Sequence, residues 1–254
     1  MKAPRMFIRH SLALAIALLA APAQAASALP DGFVYLRDVD PTIVQDIRYA
    51  GSHNFVGRPI KGYRTAECVL SARAANALQT VQRALAEKRL SLIVWDCYRP
   101  QRAVDDFAQW SKDPARAEMK AEFYPRTDKQ DLFALGYLAR RSAHSRGSTV
   151  DLGIVPIGSA AAPPPNPSQP LKACTAPKGE RFEDGTIDFG TGYDCLDVMA
   201  TMSNALVSAT ARRNRQMLKS AMQAAGFRPY AREWWHFQLN NEPFDRGFNF
   251  EVVR

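Results

Sequence analysis

The clearest periodic stretch runs from Leu70 to Lys88, where Leu70, Ala74, Ala77, Leu78, Val81 and Leu85 recur at three- and four-residue intervals. That spacing draws one apolar stripe and predicts a helix over the stretch. It leads into Leu90-Ser91-Leu92-Ile93-Val94-Trp95-Asp96, a short apolar, partly β-branched run that reads as a buried strand. Pro100 fits the first turn of a second helix reaching to about Trp110, with Val104 and Phe107 turned inward. A turn at Tyr124-Pro125 and another helix are expected between Met119 and Arg140. Thr149 to Val155 reads as a strand that carries Asp151, with His144 in the loop ahead of it. A helix from about Ala211 to Ala225 turns Met217, Leu218, Ala221, Met222 and Ala225 inward, and Gly226 ends it in the C′ position. Trp235–Leu239 and Phe248–Val253 read as two closing strands.

Two stretches lack a period. From Leu29 to Tyr63 extended pieces alternate with Gly and Pro turns. Such segments often wrap a core and lend residues to a pocket, and Tyr49 and His53 lie in this one. Residues 156–178 are rich in Ala and Pro and include Pro163-Pro164-Pro165, the composition of a surface loop. No internal repeat is visible. The order of elements points to one α+β domain, a mainly antiparallel central sheet flanked by helices.

Residues 1–25 change the domain picture. Lys2, Arg5 and Arg9 precede an apolar run from Ser11 to Ala21, and Ala23-Gln24-Ala25 is a small-x-small cleavage signal. The run is too short to span a bilayer, so the segment reads as a signal peptide, the alternative being an uncleaved anchor. Residues 26–254 then form the mature domain, exported most simply to a periplasm and not inserted in a membrane. Losing the leader removes three of the charges behind the net +8. The remaining surplus is mild and spread along the chain, with no basic run interleaved with aromatics, so no nucleic-acid footprint is present.

Four cysteines, Cys68, Cys97, Cys174 and Cys195, fall in the mature part. An even count in an exported chain favours disulfides over free buried thiols. The pairing Cys68–Cys97 and Cys174–Cys195 is preferred, because the second bond closes the Pro-rich excursion. None forms a CxxC pair, which argues against a cysteine-ligated zinc.

The chemistry centres on Ser142-Ala143-His144-Ser145-Arg146-Gly147-Ser148-Thr149-Val150-Asp151. A His and an Asp flank a Gly that lets the chain turn, and imidazole and carboxylate are both zinc ligands. A third ligand must come from elsewhere, and Glu233-Trp234-Trp235-His236 is the obvious source. Residues three apart on a regular strand face opposite sides. Glu233 and His236 therefore share a site only if Glu233 sits on the turn entering the strand, or a bulge intervenes.

With those residues in view, the chain resembles the zinc D-alanyl-D-alanine dipeptidases of the VanX type. Tyr49-Ala50 with Asn54-Phe55-Val56-Gly57, Trp95-Asp96 with Tyr98-Arg99-Pro100, Ser142 to Asp151, and Glu233 to His236 match in order over nearly all the mature chain. The resemblance implies one zinc ion per chain, held at the sheet by His144, Asp151 and His236. It implies Glu233 as general base and acid, and Arg99 beside the oxygen on which charge develops. Ser142, Asp194 and Tyr49 match positions lining a pocket for a small D,D-dipeptide, with Asp194 suited to its ammonium, and Asp96 would brace Arg99 or the pocket wall.

Rival readings stay open at this level. Arg99 could be a structural partner of Asp96, and Asp194 could cap a turn. The same metal chemistry would serve a D,D-carboxypeptidase or endopeptidase acting on wall stem peptides, and a zinc-stabilised binding module would need no base at Glu233. Thr149 stands where the family usually has a small residue and Cys97 where it has Gly, and the 156–178 loop is longer than usual. The oligomeric state is open.

Overall fold

The computed structural model describes residues 29–254, together with residues 1 and 3. Apart from those two positions, the leader predicted for residues 1–25 lies outside the described residues. In chain order the elements are β1 (Phe33–Tyr35), a one-turn helix α1 (Leu36–Val39), β2 (Val44–Gln45), β3 (Val69–Ser71), α2 (Ala72–Ala86), β4 (Leu90–Asp96), α3 (Gln101–Ser111), a one-turn α4 (Lys120–Phe123), β5 (Thr149–Pro156), α5 (Ala209–Ala224), β6 (Phe227–Pro229) and β7 (His236–Leu239). Five strands form one sheet in the order β2-β4-β5-β7-β6, antiparallel except where β2 joins β4. β1 and β3 make a separate antiparallel pair. The fold is thus α+β with a mainly antiparallel sheet flanked by helices.

β5 is buried along its whole length up to Val155 and shows no alternation, as expected of a central strand covered on both faces. The helices begin where side chains can satisfy their free N–H groups. Ser71 Oγ accepts from Ala74 N at 3.3 Å ahead of α2, and Ser208 Oγ accepts from Ala211 N at 3.0 Å ahead of α5. Gly226 follows α5 with φ +90°, a conformation that favours glycine and ends the helix as expected.

Three expectations need correction. The first long helix starts at Ala72 rather than Leu70, because Val69–Ser71 pair with Phe33–Tyr35. No long helix forms between Met119 and Arg140; only α4 and a 3-10 turn at Lys129–Asp131 are regular. There Lys129 Nζ donates to the carbonyls of Asp113 and Arg116, and Thr127 to that of Leu196, so tertiary bonds replace a helical ladder. Phe248–Val253 is not a strand either. Phe248 and Phe250 pack their rings on Phe33, and Val252 makes a single bridge to Tyr63.

Both expected disulfides form. Cys68–Cys97 joins the start of β3 to the exit of β4, and Cys174–Cys195 ties the end of the Pro-rich excursion to the residue after Asp194, leaving most of its prolines outside the closed loop. Residues 157–178 are irregular and mostly exposed, as a surface loop should be. Among the described residues no helix is long and apolar enough to cross a membrane.

Candidate active site

Strand register assembles half of the site. Asp96 on β4 pairs with Asp151 on β5, and Asp151 pairs with His236 on β7. Directly opposed residues of antiparallel strands project to the same face, so the three side chains form a row across the sheet. An irregularity between Val94 and Asp96 lets β4 re-aim its last residue.

His144 comes in from a 3-10 turn, Ala143–Arg146, capped by Ser142, whose Oγ accepts from His144 N at 3.3 Å. The turn closes on Gly147 at φ +78°, where a Cβ would stand 2.2 Å from the Phe33 ring. Only glycine fits both demands. The His144 ring places Nδ1 2.7 Å from the carbonyl oxygen of Cys97, an acceptor only, so Nδ1 carries the proton and Nε2 keeps its lone pair. That Nε2 lies 3.3 Å from His236 Nδ1 and 3.3 Å from Asp151 Oδ1, while His236 Nδ1 lies 3.0 Å from the same Oδ1. Two imidazole nitrogens and a carboxylate oxygen therefore converge on one point.

Glu233 sits on the turn entering β7, the first of the two arrangements the three-residue spacing allowed. Glu233 N bonds Tyr230 O, His236 N bonds Glu233 O, and Glu233 Oε2 comes 3.6 Å from His236 Nδ1. Arg99 aims Nε and Nη2 at Asp96 Oδ2, each at 2.8 Å, and Nη2 is 3.6 Å from Asp151 Oδ2. Its guanidinium lies over the rings of Tyr49 and Phe107. Asp96 is wholly buried behind it and accepts from Tyr63 at 2.5 Å. The Arg99–Asp96 ion pair is therefore present, yet Arg99 also borders the cavity.

Tyr49 donates to Asp194 Oδ2 at 2.7 Å. Asp194 holds φ +56°, a left-handed conformation uncommon outside glycine. Its carboxylate is turned to Tyr49 rather than capping a turn. The Asp194, Tyr49, Ser142, Arg99, Glu233, His144, Asp151 and His236 side chains all line one cavity of about 300 Å³; Asp96 does not.

Charge and burial set the protonation states. Burial pushes the Glu233 carboxyl well above the ordinary range, and the carboxylates of Asp151 and Asp194 push it further. Burial, with the Asp151 charge, raises Asp194 to about 7. Burial alone would raise Asp151 as well, but the imidazoles of His144 and His236 hold it far below the usual carboxylate range. Burial lowers His236, which favours the neutral imidazole.

Two contributors escaped the sequence reading. Tyr193 donates to Asp151 Oδ2 at 3.3 Å, and its place directly before Asp194 was the available signal. Arg215 is buried on α5 and donates to the carbonyls of Phe189, Met199 and Thr201, on both sides of Asp194. A cation in a helical polar pattern gives no sign of such a role.

Residues 30–160 and 180–253 match the family described as D-ala-D-ala dipeptidase. The chain is 34% identical over 222 residues to a D-alanyl-D-alanine dipeptidase of Streptomyces coelicolor, covering 87% of this chain and 98% of the relative. It is 31% identical over 225 residues to one of Enterococcus faecalis, covering 88% and 100%. A zinc-complexed crystal structure of the vancomycin-resistance D,D-pentapeptidase VanY aligns at a TM-score of 0.35 and 15% identity, over 71% of this chain and 77% of that one. The chain belongs to the D-Ala-D-Ala dipeptidase family and is a metallopeptidase.

Proposed function

We propose that the protein is a zinc dipeptidase that hydrolyses D-alanyl-D-alanine to two D-alanines, with His144 Nε2, Asp151 Oδ1 and His236 Nδ1 as the metal ligands. The observation that carries this reading is the convergence of those three atoms within 3.3 Å of one another. The donor set also fits the ion. Asp151 Oδ1 is buried without a hydrogen-bond partner while Oδ2 accepts from Tyr193, which leaves one oxygen in need of a cation. Two neutral nitrogens and one carboxylate oxygen are a usual catalytic zinc set, with a position left open.

Zinc bound there would polarise the scissile carbonyl and lower the pKa of a water molecule to near 7. The remaining chemistry belongs to the chain. Glu233, poised on its entry turn, accepts the water proton at its carboxylate and returns it to the leaving amine nitrogen. Burial raises its pKa, which favours its holding the proton between the two transfers. Arg99, fixed by Asp96 from behind, faces the carbonyl oxygen on which negative charge grows. Asp194 and Tyr49 hold the substrate ammonium, and that ion pair selects a free N-terminus.

A cavity of about 300 Å³ suits a dipeptide better than a polymer strand. We place the mature enzyme outside the cytoplasm, in a periplasm, since two disulfides need an oxidising compartment. The test is zinc content together with D-alanine release from D-alanyl-D-alanine, with and without chelator. About one zinc per chain and chelator-sensitive release are expected. Cleavage confined to long stem peptides would instead establish the carboxypeptidase reading, and retained binding without turnover would establish a binding module.

A further inference from the structure

A second groove opens beside the catalytic cavity and has no part in the mechanism above. It encloses about 670 Å³ between residues 140–146 and residues 245–249, and it shares Arg141 and Ser142 with the catalytic cavity. The two spaces are therefore neighbours with a common wall. The far wall is fixed to the metal-bearing turn by the Phe248 N to Ser145 O bond of 2.7 Å.

The groove is built for an anion. Arg140, Arg141, Arg146 and Arg246 line it, against one lining carboxylate, Asp245. Arg146 is occupied by Glu242 at 2.7 Å. The other three guanidiniums make no ion pair among the described residues; Arg140 lies over the Phe133 ring and Arg246 over the Phe248 ring. Ser145, also in the lining, is 1% exposed, and its hydroxyl has no hydrogen-bond partner.

We infer that this groove is a carboxylate subsite, which extends the enzyme's substrates to D-dipeptides with an acidic residue on the carboxyl side of the scissile bond. The inference rests on the dipeptidase reading. With the ammonium held at Asp194, which does not line the groove, the carboxyl-side residue passes Ser142 and Arg141. A methyl side chain stops within the catalytic cavity, whereas an acidic side chain reaches the arginines. Guanidinium–carboxylate bonds are charge-assisted and directional, so the discrimination is by charge rather than size.

The experiment compares D-alanyl-D-glutamate with its neutral isostere D-alanyl-D-glutamine, and uses D-alanyl-D-alanine as the reference. Wild-type protein should favour the glutamate substrate about tenfold in kcat/KM, less at high salt. The double variant Arg140→Gln/Arg246→Gln should bring that ratio close to one and leave D-alanyl-D-alanine turnover unchanged. Equal kcat/KM for the acid and the amide in wild type would overturn the subsite. Failure to cleave D-alanyl-D-alanine would strike the dipeptidase reading instead. Calorimetry with free D-glutamate and D-glutamine then judges the groove without turnover: tighter D-glutamate binding, lost in the double variant, supports it, and equal binding overturns it.

Discussion

His144 donates its Nδ1 proton to the backbone carbonyl of Cys97 at 2.7 Å. One bond fixes both the tautomer and the direction of the ring, and a disulfide tethers its acceptor to Cys68. The double variant Cys68→Ser/Cys97→Ser should lose about 3 kcal/mol of stability, the order expected for a crosslink spanning 29 residues. It should also bind zinc roughly tenfold more weakly, as the ring loses a fixed support. Urea unfolding and chelator competition measure the two effects.

Glu233→Gln keeps the shape of the side chain and removes the base. Zinc content should stay near one per chain while kcat falls by about 10²–10⁴. His144→Ala should lose metal and turnover together. Metal analysis beside D-alanine release separates the two variants, and a Glu233→Gln protein with normal turnover would refute the assigned role.

Arg99 has two possible duties, and a pair of variants separates them. Arg99→Met leaves Asp96 buried without its cation, so both stability and kcat should fall. Adding Asp96→Asn should recover much of the stability, since no buried charge is stranded. The kcat, down by about 10²–10³, should not recover if Arg99 faces the reacting carbonyl. Recovery of both would make Arg99 a structural residue only.

The reach of the sequence was uneven, for physical reasons. The motif around His144 and Asp151 was legible because its turn is local, set by Ser142 and Gly147. Strand geometry narrowed the place of Glu233 to an entry turn or a bulge, since three residues is the wrong spacing for a shared face. Arg215 was not legible. Its partners are carbonyls of residues 189, 199 and 201, which only the tertiary fold brings to the helix. Phe248, Phe250 and Val252 carry the alternation of a strand, but ring packing on Phe33 uses it in place of a ladder. The arginines of the second groove read as a diffuse surplus, because Arg246 lies more than a hundred residues from Arg140 and Arg141.

Asp194 should leave a mark on the metal-free protein. Its folded pKa, about 7, stands above the ordinary carboxylate value, so folding favours its protonated form. The stability it contributes is complete below the unfolded pKa and is lost as pH rises through about 7. Asp194→Asn cannot ionise and should flatten that decline by a few degrees in Tm between about pH 4 and 7. Thermal unfolding of chelated protein across that range gives the slope, and an unchanged slope would contradict the assignment.

The most direct measurement is an anomalous difference map at the zinc edge from crystals of the zinc-loaded protein. A single peak about 2.0–2.2 Å from His144 Nε2, Asp151 Oδ1 and His236 Nδ1 is expected. A peak elsewhere, or none at that point in protein that releases D-alanine, would contradict the metal site and the mechanism built on it.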